Sequence, residues 1–347
     1  MKHVRYGIIG AGAIAQRRHI PEALANPDSS VVAIADPVKD RVAALAKEHN
    51  AAAFTDYKKM LKEAEMDAVV VAGPNALHAP MSIAALKAGF HVLCEKPMAT
   101  TKPEAKAMIA AAKKSGKFLM IGMNQRLMAP HAKAREILDQ GKLGKILAFE
   151  TSFKHPGPDG WSVDGANSWF FQKAKAGMGV NGDLGIHKAD LMRFLLADEF
   201  THVGGMVVTL DKKLPNGKPI PLDDNAYLTL KTQSGVVGSI HISWTQYGGF
   251  EDNGTTLYCQ NGVMRIALDE TYGVMVDFAD GQKERYIVGD VATNEKQVAS
   301  GIIDSFTACI IKRRKPEIDG NEGYRALNVI LTAVDAAKEG VFKKIRY

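Results

Sequence analysis

The run Gly10-Ala11-Gly12-Ala13-Ile14-Ala15 follows a short apolar stretch at 5–10 and opens a helical pattern at 13–25. No other feature constrains the chain as strongly. In a G-x-G-x-x-A turn the first glycine allows the sharp bend and the second lets a phosphate approach the backbone. The small last residue lets helix and strand pack closely. Unpaired N–H groups and the positive dipole end at the helix start favour an anion. By itself the spacing also fits an ordinary glycine-rich turn. After the first strand of a β-α-β unit it reads as a dinucleotide site formed by Gly10, Gly12, Ala13 and Ile14. The next strand pattern ends at Asp36, 26 residues after Gly10. An acid there accepts hydrogen bonds from ribose hydroxyls and repels a 2′-phosphate, so NAD is expected over NADP. Asp36 before Pro37 also suits a turn, and the nearby Lys39 and Arg41 keep NADP as an alternative.

Up to residue 123, β-rich runs at 5–10, 30–35, 68–72, 91–94 and 118–121 alternate with amphipathic segments near 13–25, 38–49, 56–65, 78–88 and 102–115. This alternation predicts a doubly wound parallel sheet covered by helices on both faces. From residue 124 the rhythm changes. A helix near 130–140 and a strand at 145–154 precede a long loop at 155–178 and a helix at 183–196. Strand patterns follow at 203–210, 226–232, 236–245, 255–259, 262–268, 272–278 and 284–288, with helices near 297–312 and 321–339. Ser234-Gly235 and Asn261-Gly262 are hairpin turns, so this half is α+β with a large, mostly antiparallel open sheet. The chain of 347 residues thus divides into domains at 1–123 and 124–347.

Composition narrows the partners. Hydrophobic residues make up 46% and charged residues 24%, as in an ordinary globular protein. The formal charge of +6 is scattered, and the longest basic run, Lys312-Arg313-Arg314-Lys315, is too short to suggest nucleic acid or an acidic membrane surface. No apolar run reaches the roughly 18 residues that a bilayer span needs. Residues 1–15 faintly resemble an export signal, but three glycines interrupt the apolar part and Arg17-Arg18 follow it instead of preceding it. They are read as the first strand. Cys94, Cys259 and Cys309 lie far apart and make neither a zinc spacing nor a disulfide framework, so no metal is expected and a reducing cytoplasm is.

Two further stretches carry chemistry. Cys94-Glu95-Lys96-Pro97 stands at the carboxyl end of a parallel strand, where open α/β sheets bind ligands. A lysine there can hold a substrate hydroxyl and ease loss of its proton. In Gly182-Asp183-Leu184-Gly185-Ile186-His187-Lys188-Ala189-Asp190, α-helical geometry puts Asp183, His187 and Asp190 within about 60° of arc. A histidine between carboxylates is a candidate general base, although a lone histidine is more often structural.

With these pieces in order, the chain resembles the Gfo/Idh/MocA family (glucose–fructose oxidoreductase, inositol dehydrogenase, rhizopine catabolism) over nearly its full length. The matching pieces are the glycine run, Gly73-Pro74-Asn75-Ala76-Leu77-His78, Glu95-Lys96-Pro97, Asn124-Gln125-Arg126 and the Asp183…His187 helix. The resemblance implies a Rossmann domain followed by a substrate and oligomerisation domain. It implies an NAD(P)-dependent dehydrogenase acting on a secondary alcohol of a sugar, sugar derivative or inositol-like cyclitol. It further implies that Lys96 contacts nicotinamide ribose and substrate, that His187 is the acid/base, and that Asp183 binds substrate hydroxyls. Pro74, Asn75, His78, Glu95 and Asn124 would line the cofactor, Arg126 and Trp169 the substrate, and the assembly would be a homodimer or homotetramer.

Two positions depart from the family pattern. Gly73 stands where threonine or serine is common, and Phe170 follows Trp169 where many members carry arginine. The loop from Lys154 to Trp161 suits a sugar-facing wall or a surface loop packed on its own tryptophan. The same fold also serves a bound-NAD lyase or glycosidase, an NADPH-linked reductase, and a non-catalytic sugar sensor resembling a galactose-pathway co-repressor. A sensor does not need the lysine and the histidine that this chain keeps in register.

Overall fold

The computed structural model describes residues 2–248, 251–289 and 299–347. They form two compact units. The first is built from the described parts of Met1–Met123, Ala174–Gly177 and Ala299–Tyr324, the second from those of Asn124–Lys173, Met178–Val298 and Arg325–Tyr347.

The first unit holds six strands: β1 (Val4–Ile9), β2 (Ser29–Ala35), β3 (Ala52–Phe54), β4 (Ala68–Val71), β5 (His91–Cys94) and β6 (Leu119–Ile121). They pair in parallel in the order β3-β2-β1-β4-β5-β6. All four residues of β4 are buried, as expected where helices cover both faces of a sheet. The order reverses between β1 and β4, which sets the turns after these strands side by side, the usual place for a ligand in such sheets. Gly10 sits at φ +100°, and a Cβ there would lie 2.6 Å from the Ala72 carbonyl oxygen, so the approach of the two turns needs glycine.

Edge strand β3 is absent from the periodicity because it is three largely exposed residues long, too short for an alternation to register. The helix expected at 13–25 contains a wide π turn, Ala15–His19, before Ile20–Ala25. The helix expected at 78–88 begins earlier, as Asn75–Lys87, because Pro74 serves as its N-cap. Helix Ile302–Ile311 lies in this unit, where Thr307 meets the buried Tyr6 hydroxyl at 2.8 Å. Residues 297 and 298 of the helix expected there lie outside the described residues.

The second unit carries β7 (Ile146–Lys154), β8 (Phe200–Val208), β9 (Asn225–Thr232), β10 (Val237–Ser243), β11 (Thr255–Cys259), β12 (Gly262–Ile266), β13 (Val274–Phe278), β14 (Lys283–Tyr286) and β15 (Lys343–Lys344). The sheet order is β14-β13-β12-β11-β7-β10-β9-β8-β15, antiparallel except for the pair β7 and β10. The two-residue β15 carries no pattern and went unanticipated. Burial alternates strictly along most of β9. By composition the apolar residues within 227–230 and 240–244 suggest a surface for subunit pairing, yet Leu228, Leu230, Ile240, Ile242 and Trp244 point into the core. The opposite face exposes Met206, Tyr227 and Val237, with the His241 ring 4.0 Å from that of Tyr227. This correction follows from the strand's period of two.

Candidate active site

In the first unit, Ala13 is buried and Ile14 half-buried at the start of the helix behind Gly10 and Gly12. A Cβ on Gly12 would meet nothing within 4 Å, so its backbone faces open space. Asp36 makes the turn that its place before Pro37 suggests and also braces the glycine turn. One carboxylate oxygen accepts the Ala11 N–H at 2.8 Å, holding the glycine turn, and the other accepts the Val38 N–H at 2.9 Å. Arg41 lies 3.9 Å from Asp36. A glycine turn with open backbone, a helix start and a carboxylate at the end of β2 form a donor and acceptor set that fits a dinucleotide.

Beyond β4, the Asn75 side chain donates to the Ala176 carbonyl at 3.0 Å, and the buried His78 ring lies between the Pro97 and Gly73 carbonyl oxygens, 2.8 Å from each. Beyond β5 stand Glu95 and the half-buried Lys96. Glu95 accepts the Lys96 backbone N–H at 3.1 Å and meets His19 Nε2 at 2.7 Å. Burial opposes its charge, yet the His19 hydrogen bond and the His19, Arg18 and Lys96 charges hold Glu95 well below the usual carboxylate range. Gly122 leaves room for it, since a Cβ there would stand 3.2 Å from the Glu95 carboxyl. Burial pushes the Cys94 thiol up to about 12, which removes it as a nucleophile.

In the second unit, Asn124 and Arg126 lie buried in the short turn Asn124–Leu127. A π turn, Asn181–Gly185, precedes helix Ile186–Leu196. Asp183 therefore does not share an ideal α-helical face with His187, and the arc drawn from 100° per residue applies only from Ile186 onward. Asp223 shapes this turn: its carboxylate accepts the Gly179 and Asn181 N–H groups at 3.0 and 2.7 Å. Asp183 is buried, and Trp244 donates its indole N–H to it at 3.2 Å. The buried His187 ring lies 6.0 Å from that of Phe153.

Arg126 grips Asp190 with two bonds of 2.7 and 2.6 Å, a buried bidentate pair that braces the helix behind His187. Lys188 is fully buried, donates to the Asn253 carbonyl at 3.0 Å, and is driven by burial down to about 7. Trp169 is half-buried and stacks at 3.9 Å on Phe170, which meets Trp161 and Trp244 edge-on. The loop is tied down where Lys212 grips Asp159 at 2.7 and 2.8 Å. Among the described residues, no group of three His, Cys, Asp or Glu is arranged to hold a metal ion, and no helix is long and apolar enough to cross a membrane.

Sequence reasoning missed His19, Lys188, Asp223 and Trp244. Lys188 was visible as a polar residue beside the candidate base, whereas His19 follows Gln16-Arg17-Arg18 and interrupts no apolar pattern. Asp223 and Trp244 act across long sequence separations that no local pattern reveals.

The glycine turn on this six-stranded parallel sheet, joined in one chain to an α+β unit with a broad sheet, defines a dinucleotide-dependent oxidoreductase. Residues 4–123 match the family model described as "Oxidoreductase family, NAD-binding Rossmann fold", and residues 131–265 match the "GFO/IDH/MocA C-terminal domain". The chain belongs to the Gfo/Idh/MocA oxidoreductase family. It is 29% identical to levoglucosan dehydrogenase of Pseudarthrobacter phenanthrenivorans over 82% of this chain and 79% of that protein. It is 28% identical to 1,5-anhydro-D-fructose reductase of Ensifer adhaerens over 97% of each. The structure of aldose-aldose oxidoreductase from Caulobacter crescentus, complexed with glycerol, superposes with a TM-score of 0.84 at 25% identity over 99% of each chain.

Proposed function

We propose that this enzyme transfers hydride between a secondary alcohol of a sugar, sugar derivative or cyclitol and NAD, using His187 as acid/base, Lys96 as hydroxyl ligand and Asp183 to orient the substrate. The observation that carries the reading is Asp183, a buried carboxylate fixed by the Trp244 indole N–H four residues before His187. Burying a carboxylate costs free energy unless hydrogen bonds compensate it, and the Trp244 indole supplies one. The relatives named for levoglucosan and anhydrofructose support a carbohydrate substrate.

Gly10, Gly12, Ala13 and Ile14 would hold the diphosphate and Asp36 the adenosine ribose. Pro74, Asn75, His78, Glu95 and Asn124 would line the remainder. Bound NAD supplies the hydride acceptor. The residues of the chain do the rest: Lys96 holds the hydroxyl and opposes the negative charge that grows on its oxygen, and His187 takes its proton. Arg126, through Asp190, and the Trp169 stack would shape the substrate side. The Asp36 carboxylate, held beside the glycine turn by the Ala11 N–H, favours NAD by opposing a 2′-phosphate, while Arg41 at 3.9 Å supports some use of NADP. Three buried free cysteines suit a cytoplasmic enzyme.

The test is NADH formation at 340 nm across inositols, aldoses, uronic and amino sugars, with the Lys96→Ala variant as control. Net NADH with at least one substrate is expected. Substrate conversion with no NADH released would instead mean a cycling lyase or glycosidase. Tight NAD binding with no conversion of any polyol would mean a sensor.

The exposed sheet face around Met206, Tyr227 and Val237 supports a homodimer or homotetramer. Light scattering is expected to give a multiple of the 37.5 kDa chain mass, and a monomer mass would refute the assembly.

A further inference from the structure

His78 sits on helix Asn75–Lys87 with its ring 1% exposed. Its Nδ1 lies 2.8 Å from the Pro97 carbonyl oxygen and its Nε2 lies 2.8 Å from that of Gly73. A backbone carbonyl can only accept a hydrogen bond, and a neutral imidazole has one N–H to give. Two hydrogen bonds therefore require two N–H groups. In the neutral ring one nitrogen lone pair would face a carbonyl oxygen at hydrogen-bond distance, two negative partial charges in a buried place. The two carbonyls belong to the turns that follow β4 and β5. Gly73 leads into Pro74-Asn75, and Pro97 follows Lys96.

We propose that His78 is a positioning residue, held as an imidazolium, that clamps the cofactor-lining turn at Gly73 to the turn presenting Lys96. The purpose of the clamp rests on the role given to Lys96 above.

The surroundings set the electrostatic balance. Burial is the largest influence and holds the ring below the ordinary imidazole range, and Lys96 acts the same way. The Pro97 and Gly73 carbonyls and the Glu95 carboxylate act against it. Those two side chains are the charged groups that face His78 from the β5 turn. On its own helix the Asn75 side chain is turned to the Ala176 carbonyl. Glu95 is kept ionised by His19, Arg18 and Lys96, so its negative charge persists whenever the ring carries a proton. Against that net lowering stands the carbonyl pair, neither member of which can supply a proton of its own.

One ring governing two turns has a kinetic signature. Loosening it disturbs the dinucleotide and Lys96 together, whereas removing the Lys96 side chain leaves the Gly73 turn in place. Nitrogen-15 NMR of the full chain at pH 7 is expected to show both His78 ring nitrogens protonated, the resonances being assigned by their loss in His78→Gln. His78→Gln keeps one donor and is expected to lower kcat and raise the KM for NAD, each by roughly tenfold or more, as displacement of a reacting group does. A His78 ring with a single N–H at pH 7 would overturn the inference. So would a folded His78→Gln enzyme with unchanged kcat and KM. The NMR experiment reads the wild-type ring directly, so the inference stays testable if a variant folds poorly. Undiminished turnover by Lys96→Ala would be a different failure: it strikes the role of Lys96 while the imidazolium signal still stands.

Discussion

Replacing Lys96 with alanine should cost about 10²–10⁴-fold in kcat and leave NAD binding nearly intact, a combination that few other single changes in this chain should produce. The backbone N–H of Lys96 is what Glu95 holds, and alanine keeps it, so the turn after β5 retains its brace. The side chain is only half-buried, so little packing is lost and Tm should move by no more than a few degrees. The glycine turn and Asp36 hold the dinucleotide without Lys96, and fluorescence titration with NADH should report a Kd within a few-fold of wild type. The loss appears when negative charge grows on the substrate oxygen with no cation beside it. A purely structural lysine would give the opposite pattern, lower Tm with kcat preserved in the folded fraction. Near-normal turnover would remove Lys96 from the chemistry.

The parts of this protein that were legible in the sequence are those built by local repetition. Parallel strands buried on both faces, such as β4, leave continuous apolar runs, and the glycine turn must follow a strand because its φ and its clearance from Ala72 demand it. Both were readable without coordinates. The π turn at Asn181–Gly185 was not. It arises where Asp223, about 40 residues away, collects two N–H groups with its side chain, while its own backbone carbonyl crowds Gly179. Nothing in residues 179–187 announces this, so an α-helical wheel was the natural assumption.

The candidate site divides along the same line. Lys96, Asp183 and His187 stood out because charged residues interrupt apolar patterns or follow a strand. Their supports did not, since Trp244 reaches Asp183 from the end of β10, and His19 reaches Glu95 across 76 residues. The face a residue occupies was equally hidden where only composition was read: Tyr227 and Leu228 look alike as apolar neighbours, yet one is exposed and the other buried.

Substitution of His187 by glutamine tests the remaining half of the chemistry. Glutamine fills similar space and keeps polar atoms, but cannot take up a proton at neutral pH. Loss of a general base should lower kcat/KM for alcohol oxidation by about 10²–10⁴-fold. The pH profile is the sharper readout. A base must be unprotonated to accept the hydroxyl proton, so oxidation by the wild-type enzyme should rise with pH as the imidazolium fraction falls. Carbonyl reduction needs the same group protonated and should fall over the same interval. His187→Gln should flatten the rising limb of oxidation and keep the NAD affinity of wild type. Asp183→Asn, which retains an acceptor for the Trp244 indole N–H, should raise KM for the substrate more than it lowers kcat, because it removes charge from an orienting group and leaves the base in place. If the rising limb survives in His187→Gln, the proton goes to another group. Lys96 would then be the first candidate, because an unprotonated amine could serve as both ligand and base, and the oxidation would need no imidazole.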